Sequence, residues 1–316
     1  MKKTITLLFT IIITLIILSE LPIREKYLVY TLSGTQYEKL LWLHLKLEKD
    51  LLKGQKFNAI IFGSSSVLYG FNDSTTKTKT LNLGVNTGHR DLDLYLLKRF
   101  LEKGNSANFI LREFHSLEPH HMNYYGLHPV IHLFARPSWL IKNGQNVIQP
   151  HFLKYLSDRI RAVFQSYFLF HLERPYDINY TDYGYRPKLT GVPREEFEET
   201  GELNEAPSEI YYSEFSTLYH NFKSANRYRE KFDQIAKNQK GTKLYYVHFP
   251  FLIEEPRSMT TLESRILYLE NRFNIKVLRI HDDLSFFEEK LNFADFGHLS
   301  TSGATKFAFQ IEGKLK

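Results

Sequence analysis

The chain has 316 residues, 43% of them hydrophobic and 24% charged, so a packed core is expected and disorder is not. It has no cysteine, which removes disulfides, thiolate metal sites, thiol catalysis and a cysteine-linked lipid anchor. The net charge is +6 but the basic residues are dispersed, with no nucleic-acid-reading motif; nucleic acid is not an expected partner, and anionic lipid or an anionic envelope polymer suits the charge at least as well.

The N-terminus reads MKK and then TITLLFTIIITLIILSELPI over 4–23, with Glu20 its only charge. About 20 apolar residues cross a bilayer as a helix. The run has no polar face, which argues against a buried soluble helix. Lys2 and Lys3 predict a cytoplasmic N-terminus and an external globular part. A cleaved signal peptide is the competing reading; no small-x-small site follows, so an uncleaved anchor over 1–23 is expected. Residues 24–55 predict a membrane-proximal helical segment. There YEKLLWLHLKLEKDLLKG repeats apolar residues at helical spacing and stops at Gly54.

An α/β domain is expected over 56–316. A buried strand at 59–62 stops at Gly63, and a second short strand at 80–85 ends in a turn. A helix spans 91–104 with an acidic start and a glycine stop, and a third strand covers 107–114. From about 116 to 213 the rhythm lapses into a segment rich in Tyr, Phe, His and Pro, read as an insertion of helices and loops. Helices at 215–239 and 260–272 and strands at 243–250 and 275–280 follow. A turn then leads to a last helix capped near Ser300 or Thr301. Alternating strands and helices imply a parallel sheet covered on both faces, the flavodoxin-like three-layer sandwich, with ligands at the carboxyl ends of the strands.

At the first such end stand Gly63-Ser64-Ser65-Ser66. Alone, three serines after a strand are good helix caps. A serine hydroxyl becomes a nucleophile only when a base takes its proton, and the usual base is a histidine oriented by a carboxylate. The turn before the last helix holds both, as Asp295-Phe296-Gly297-His298. The motif is not the Gly-x-Ser-x-Gly elbow, because Val67 occupies the last position, and it is not a P-loop.

Gly-x-Ser after the first strand, Asn-Leu-Gly after the second and Asp-x-x-His-Leu-Ser before the last helix resemble the SGNH/GDSL hydrolase superfamily, from about Phe57 to the C-terminus with the 116–213 insertion outside the resemblance. The resemblance implies Ser65 as nucleophile, His298 as base and Asp295 as its orienter. It places an oxyanion-binding backbone N–H in 82–88, best matched by Gly88, with Gly84 or Thr87 as alternatives. Ser64 in place of the family's Asp is a variation common among its membrane-anchored relatives. The third block departs: Leu111-Arg112-Glu113-Phe114-His115 has no asparagine where the family usually has one. Either Arg112, His115 or Asn123 supplies that donor, or activity is weak or lost; one lost donor costs roughly 3–4 kcal/mol of transition-state stabilisation. Some membrane-anchored relatives work beside membrane-bound O-acyltransferases in decorating envelope polymers, as in teichoic-acid D-alanylation and alginate acetylation. The implied function is acyl transfer or ester hydrolysis on an envelope glycan or lipid ester, without a cofactor. An inactive partner protein in such a system is the alternative.

His115, Glu118, His120, His121 and His128 match no metal-ligand spacing, so no metal is expected. The aromatic-rich stretch 124–185 reads as core and loop packing. A second reading has it rest on a bilayer surface or hold an acyl or glycan group, with Trp139, Leu140 and Ile141 as candidates.

Overall fold

The computed structural model describes residues 2–49, 52–86, 90–114, 127–169, 180–186, 223–250, 259–279, 285–286, 291–295 and 298–315. Helix α1 (Lys2–Glu20) is long and apolar enough to cross a membrane. At 1.5 Å per residue its 19 residues span about 28 Å, close to a bilayer's hydrocarbon thickness. The helix stands clear of the remaining chain. Leu7, Phe9 and Ile17 are at least 60% exposed, and only its last turn, at Ser19, is covered. Helices α2 (Glu25–Leu32) and α3 (Glu38–Glu48) then turn back onto the domain. Leu28, Leu32, Leu40, Leu43 and Leu47 are buried in one continuous cluster there.

The domain runs β1 (Lys56–Phe62), α4 (Ser65–Gly70), β2 (Thr80–Asn82), α5 (Arg90–Glu102) and β3 (Ser106–Glu113). Helices α6 (Ile131–Phe134), α7 (Pro137–Lys142) and α8 (Pro150–Phe164) come next, all within the expected insertion. Then follow α9 (Lys223–Lys237), β4 (Lys243–Val247), α10 (Met259–Phe273), β5 (Val277–Leu278), β6 (Phe293–Asp295), β7 (His298–Leu299) and α11 (Thr301–Lys314). Strands β1 to β5 form one parallel sheet in the order β2-β1-β3-β4-β5, the order of a doubly wound sheet. A parallel sheet must be covered on both faces, and β1, an interior strand, is apolar over its second half: Ala59, Ile60, Ile61 and Phe62 are fully buried. Ile60, Phe62 and Ile110 face α5, α9 and the N-terminal helices. Ala59, Ile61, Leu111 and Val247 face α4 and α11.

Two expectations change. The strand expected over 275–280 pairs only at Val277 and Leu278, because Asn274 enters it from a left-handed turn (φ 48°) and β5 is an edge with one neighbour. On either side of the turn expected at Asp295–His298, β6 and β7 pair antiparallel with Asp295 opposite His298; residues 296 and 297 lie outside the described residues. The expected helix at 215–239 is seen as α9; residues 215–222 lie outside the described residues.

Helices α7 and α8 pack under the end of α1, each begun by a proline where no intrahelical N–H is needed. Arg159 of α8 donates to the carbonyls of Ser19 (3.0 Å), Leu21 (2.7 Å) and His132 (2.7 Å). The Ser138 N–H and hydroxyl both donate to the Glu20 carboxylate, at 2.8 Å.

Candidate active site

The site begins where β1 stops. Gly63 packs against β3 so closely that a Cβ there would lie 2.6 Å from Glu113 Cβ, so only glycine fits. The next turn is fixed by one carboxylate. The Ser64 N–H donates to Glu113 Oε2 at 2.6 Å, and the Ser64 hydroxyl donates to Glu113 Oε1 at 2.9 Å. Ser64 Oγ also accepts the Ser66 N–H, 3.3 Å away, which makes Ser64 the N-cap of α4. Ser66 is buried. The three serines therefore divide the work. Ser64 caps, Ser66 packs, and Ser65, the first residue of the helix, turns a half-buried hydroxyl toward the hairpin.

The hairpin supplies what the serine lacks. Asp295 and His298 are cross-strand partners in β6 and β7. His298 Nδ1 lies 2.8 and 3.0 Å from the two Asp295 carboxylate oxygens, and His298 Nε2 lies 2.9 Å from Ser65 Oγ. An ionised carboxylate can only accept, so it selects the Nδ1–H tautomer and leaves the Nε2 lone pair facing the serine hydroxyl. Side chains 233 positions apart thus form a continuous relay. With His298 24% and Asp295 30% exposed, solvent has access to it.

Local contacts hold the hairpin. The Ser300 N–H donates to Asn292 O at 2.9 Å, and its side chain caps α11 by accepting the Gly303 N–H at 3.1 Å. Asn292 Nδ2 donates to Phe286 O at 2.7 Å. Tyr69 of α4 sets its ring perpendicular to the His298 ring, centroids 5.5 Å apart, and its hydroxyl accepts from Asn86 Nδ2 at 3.3 Å.

Two proposed oxyanion donors are corrected. The Gly84 N–H is spent on Asn82 Oδ1, 2.9 Å away, and a Cβ on Gly84 would lie 2.6 Å from Leu68 N. Gly84 is therefore a close-packing residue under α4. Arg112 is fully buried on the opposite face of the sheet. Its Nε donates to Asp93 Oδ2 at 3.1 Å, and its guanidinium lies 3.8 Å from Asp233 and stacks over Phe232. In a strand, neighbouring side chains point to opposite faces, so the register that brings Glu113 to Ser64 sends Arg112 away from it. Thr87, Gly88, His115, Glu118, His120, His121 and Asn123 lie outside the described residues. His128 is core: buried, edge-on to Tyr37 at 5.4 Å, its Nδ1 accepting the Val130 N–H. Of the bilayer candidates, Leu140 is buried, Trp139 is half-buried against Tyr95, and Ile141 is 50% exposed.

Three contributors have no individual role in the sequence reading. Glu113 carries a weak signal, an acidic residue at the carboxyl end of a central strand. Asn82 is buried and donates to Val67 O (2.8 Å) and Phe71 O (2.9 Å), tying β2 to α4. Lys39 of α3 reaches the same place, donating to Asn82 O at 3.1 Å and to Gly184 O. Burial lowers its pKa to about 7, partly opposed by Asp73. Burial raises Asp73 to about 6, opposed by its bonds from Thr181 Oγ1 (2.6 Å) and the Tyr185 N–H (2.9 Å).

Family models, curated proteins and solved structures were compared with the chain, and none matches.

Proposed function

We propose that the protein is a serine esterase or O-acyltransferase of SGNH type. It would be held by α1 in a cell membrane, with its N-terminus in the cytoplasm and its domain outside. The reading is carried by one observation, the Ser65–His298–Asp295 relay at 2.9 and 2.8 Å. In this scheme His298 Nε2 takes the Ser65 proton as Oγ attacks an ester carbonyl carbon. The tetrahedral oxyanion collapses, the alcohol leaves with the proton from Nε2, and the acyl group stays on Ser65. Water or an acceptor hydroxyl then loses its proton to Nε2 and attacks, releasing an acid or a new ester. Asp295 holds the imidazole tautomer and offsets its transient charge. The Ser65 and Gly88 backbone N–H groups are assigned to the oxyanion. The flavodoxin-like strand order and the site at the carboxyl edge of the sheet support this reading. Beside a membrane-bound O-acyltransferase, the substrate would be an acyl ester or envelope glycan.

A rival reading, an inactive partner protein in envelope-polymer modification, is favoured by Arg112. With its guanidinium on the far face, no described residue of the third block offers the oxyanion a side-chain donor. One experiment decides between them. The wild-type chain is expected to be labelled by a fluorophosphonate probe, and Ser65→Ala to lose the label. An unlabelled wild type supports the partner reading, and undiminished labelling of the variant excludes Ser65 as nucleophile.

A further inference from the structure

Helix α8 has two faces. Phe152, Tyr155, Arg159, Ala162 and Val163 are buried. Positions 153, 157, 161 and 164 are exposed, at the 4, 4 and 3 spacing of a single helical stripe. Ser157 and Arg161 are polar, as on a soluble surface helix, but the two ends of the stripe are not. Here Leu153 is 59% exposed and Phe164 is 50% exposed, and Phe168 in the following π-turn, stacked on Phe164 at 4.9 Å, is 61% exposed. Two cations stand among them, Arg161 on the stripe and Lys154 beside it, the latter paired with Asp158 at 2.9 Å. Apolar residues flanked by Lys and Arg mark helices that lie in the interface of a bilayer with anionic headgroups.

The position of the helix says which surface it meets. Arg159, at its centre, spends its guanidinium on the carbonyls of Ser19 and Leu21, where α1 ends. Ile11, Ile12, Ile16 and Ile17 of α1 stay 46–60% exposed, so α8 crosses the end of α1 and does not run beside it. A helix tied to the last turn of a membrane span sits at the level where that span leaves the hydrocarbon. The other flank is held too: Arg24 lies 4.3 Å over the Tyr167 ring, and the Tyr27 hydroxyl donates to Gln165 at 2.7 Å.

We infer that the Leu153–Phe164–Phe168 face rests in the headgroup region of the bilayer that α1 crosses, fixing how the domain is oriented on its membrane. The inference rests on α1 being a membrane span, and the test separates the two. The chain has no cysteine, so Leu153→Cys, Phe164→Cys and Phe168→Cys each carry a single environment-sensitive fluorophore on the full chain. The chain is reconstituted in phosphatidylcholine/phosphatidylglycerol vesicles with or without lipids bearing a shallow nitroxide quencher. Thr10→Cys in α1 reports the span. Phe309→Cys is the control, 52% exposed on α11 at the other face of the sheet. For a face about 5–10 Å into the interface, all three α8 probes should be quenched at least about twofold and the 309 probe left unchanged. If the Thr10 probe is quenched and the α8 probes are as aqueous as the 309 probe, the surface proposal falls alone. Dry but unquenched α8 probes mean that protein covers the face, which also overturns it. A Thr10 probe in water overturns the span and the proposal together.

Discussion

Arg112 and Glu113 are consecutive on β3, both charged and both buried, yet the two faces of the sheet use them differently. Arg112 closes a charge network with Asp93 and Asp233 between α5 and α9, and Tyr246 adds a hydroxyl to Asp233 at 2.7 Å. Glu113 binds the peptide N–H and hydroxyl of Ser64 and so sets the turn that presents Ser65. The first charge joins helices to the sheet. The second shapes a few atoms next to the candidate nucleophile. Burial alone therefore does not separate structural from functional charges; the atoms they hold do.

The comparison breaks most readily at Arg112. Arg112→Met removes the guanidinium that Asp93 and Asp233 share, although Asp233 keeps Arg229 at 3.9 Å, and removing one member of a buried ion pair costs about 3–5 kcal/mol. Chemical denaturation should show that loss, while the molecules that remain folded keep the wild-type rate of fluorophosphonate labelling. A slowed rate would place Arg112 in the site after all.

Lys39 is a buried charge of the first kind, and pH exposes it. Its folded pKa of about 7 lies below the usual 10.5, so the unfolded chain binds more protons between those values. Stability should rise as pH climbs from 7 toward 10. Asp73 has the opposite sign: raised from 3.8 to about 6, it makes stability fall as pH climbs through that window. The pair predicts a stability minimum near pH 6–7. Lys39→Met should flatten the alkaline rise, which amounts to roughly 3–4 kcal/mol in the wild type. An unchanged slope would show that Lys39 is solvated.

Glu113→Gln should reverse the Arg112 pattern. The amide oxygen still accepts the Ser64 N–H, but the amide nitrogen cannot accept the hydroxyl proton, so the stability cost is only about 1 kcal/mol. A loosened turn misplaces Ser65, and labelling is expected to slow about tenfold. Unchanged labelling with the same small stability loss would make Glu113 a purely structural residue.

Several features were open to reading from residues alone, for local reasons. The apolar run of α1 exceeds anything a soluble surface helix carries, so its capacity to cross a bilayer needs no tertiary context. Ala59–Phe62 is apolar at every position because a central parallel strand has no solvent face. Ser300 caps α11 with its own side chain. The residue types at 65, 295 and 298, in that order, name a relay without placing it. The two corrections have a common origin: the resemblance places Gly84 and Arg112 only by their positions along the chain, in its second and third blocks. Such a position does not say where an N–H points or which face a side chain takes.

Chain chemistry by itself determined the elements, their alternation and the kinds of groups available at each strand end. Only the tertiary structure brought an imidazole 233 residues away to 2.9 Å from Ser65 and gave Ser64 and Ser66 their capping and packing roles. It also turned Arg112 and Glu113 to opposite sides of the sheet. Propensity and hydrophobic periodicity act over a few residues, whereas strand register and sheet order are settled by how the whole core packs. A one-residue change of register would exchange the two charges and dismantle the Ser64 turn.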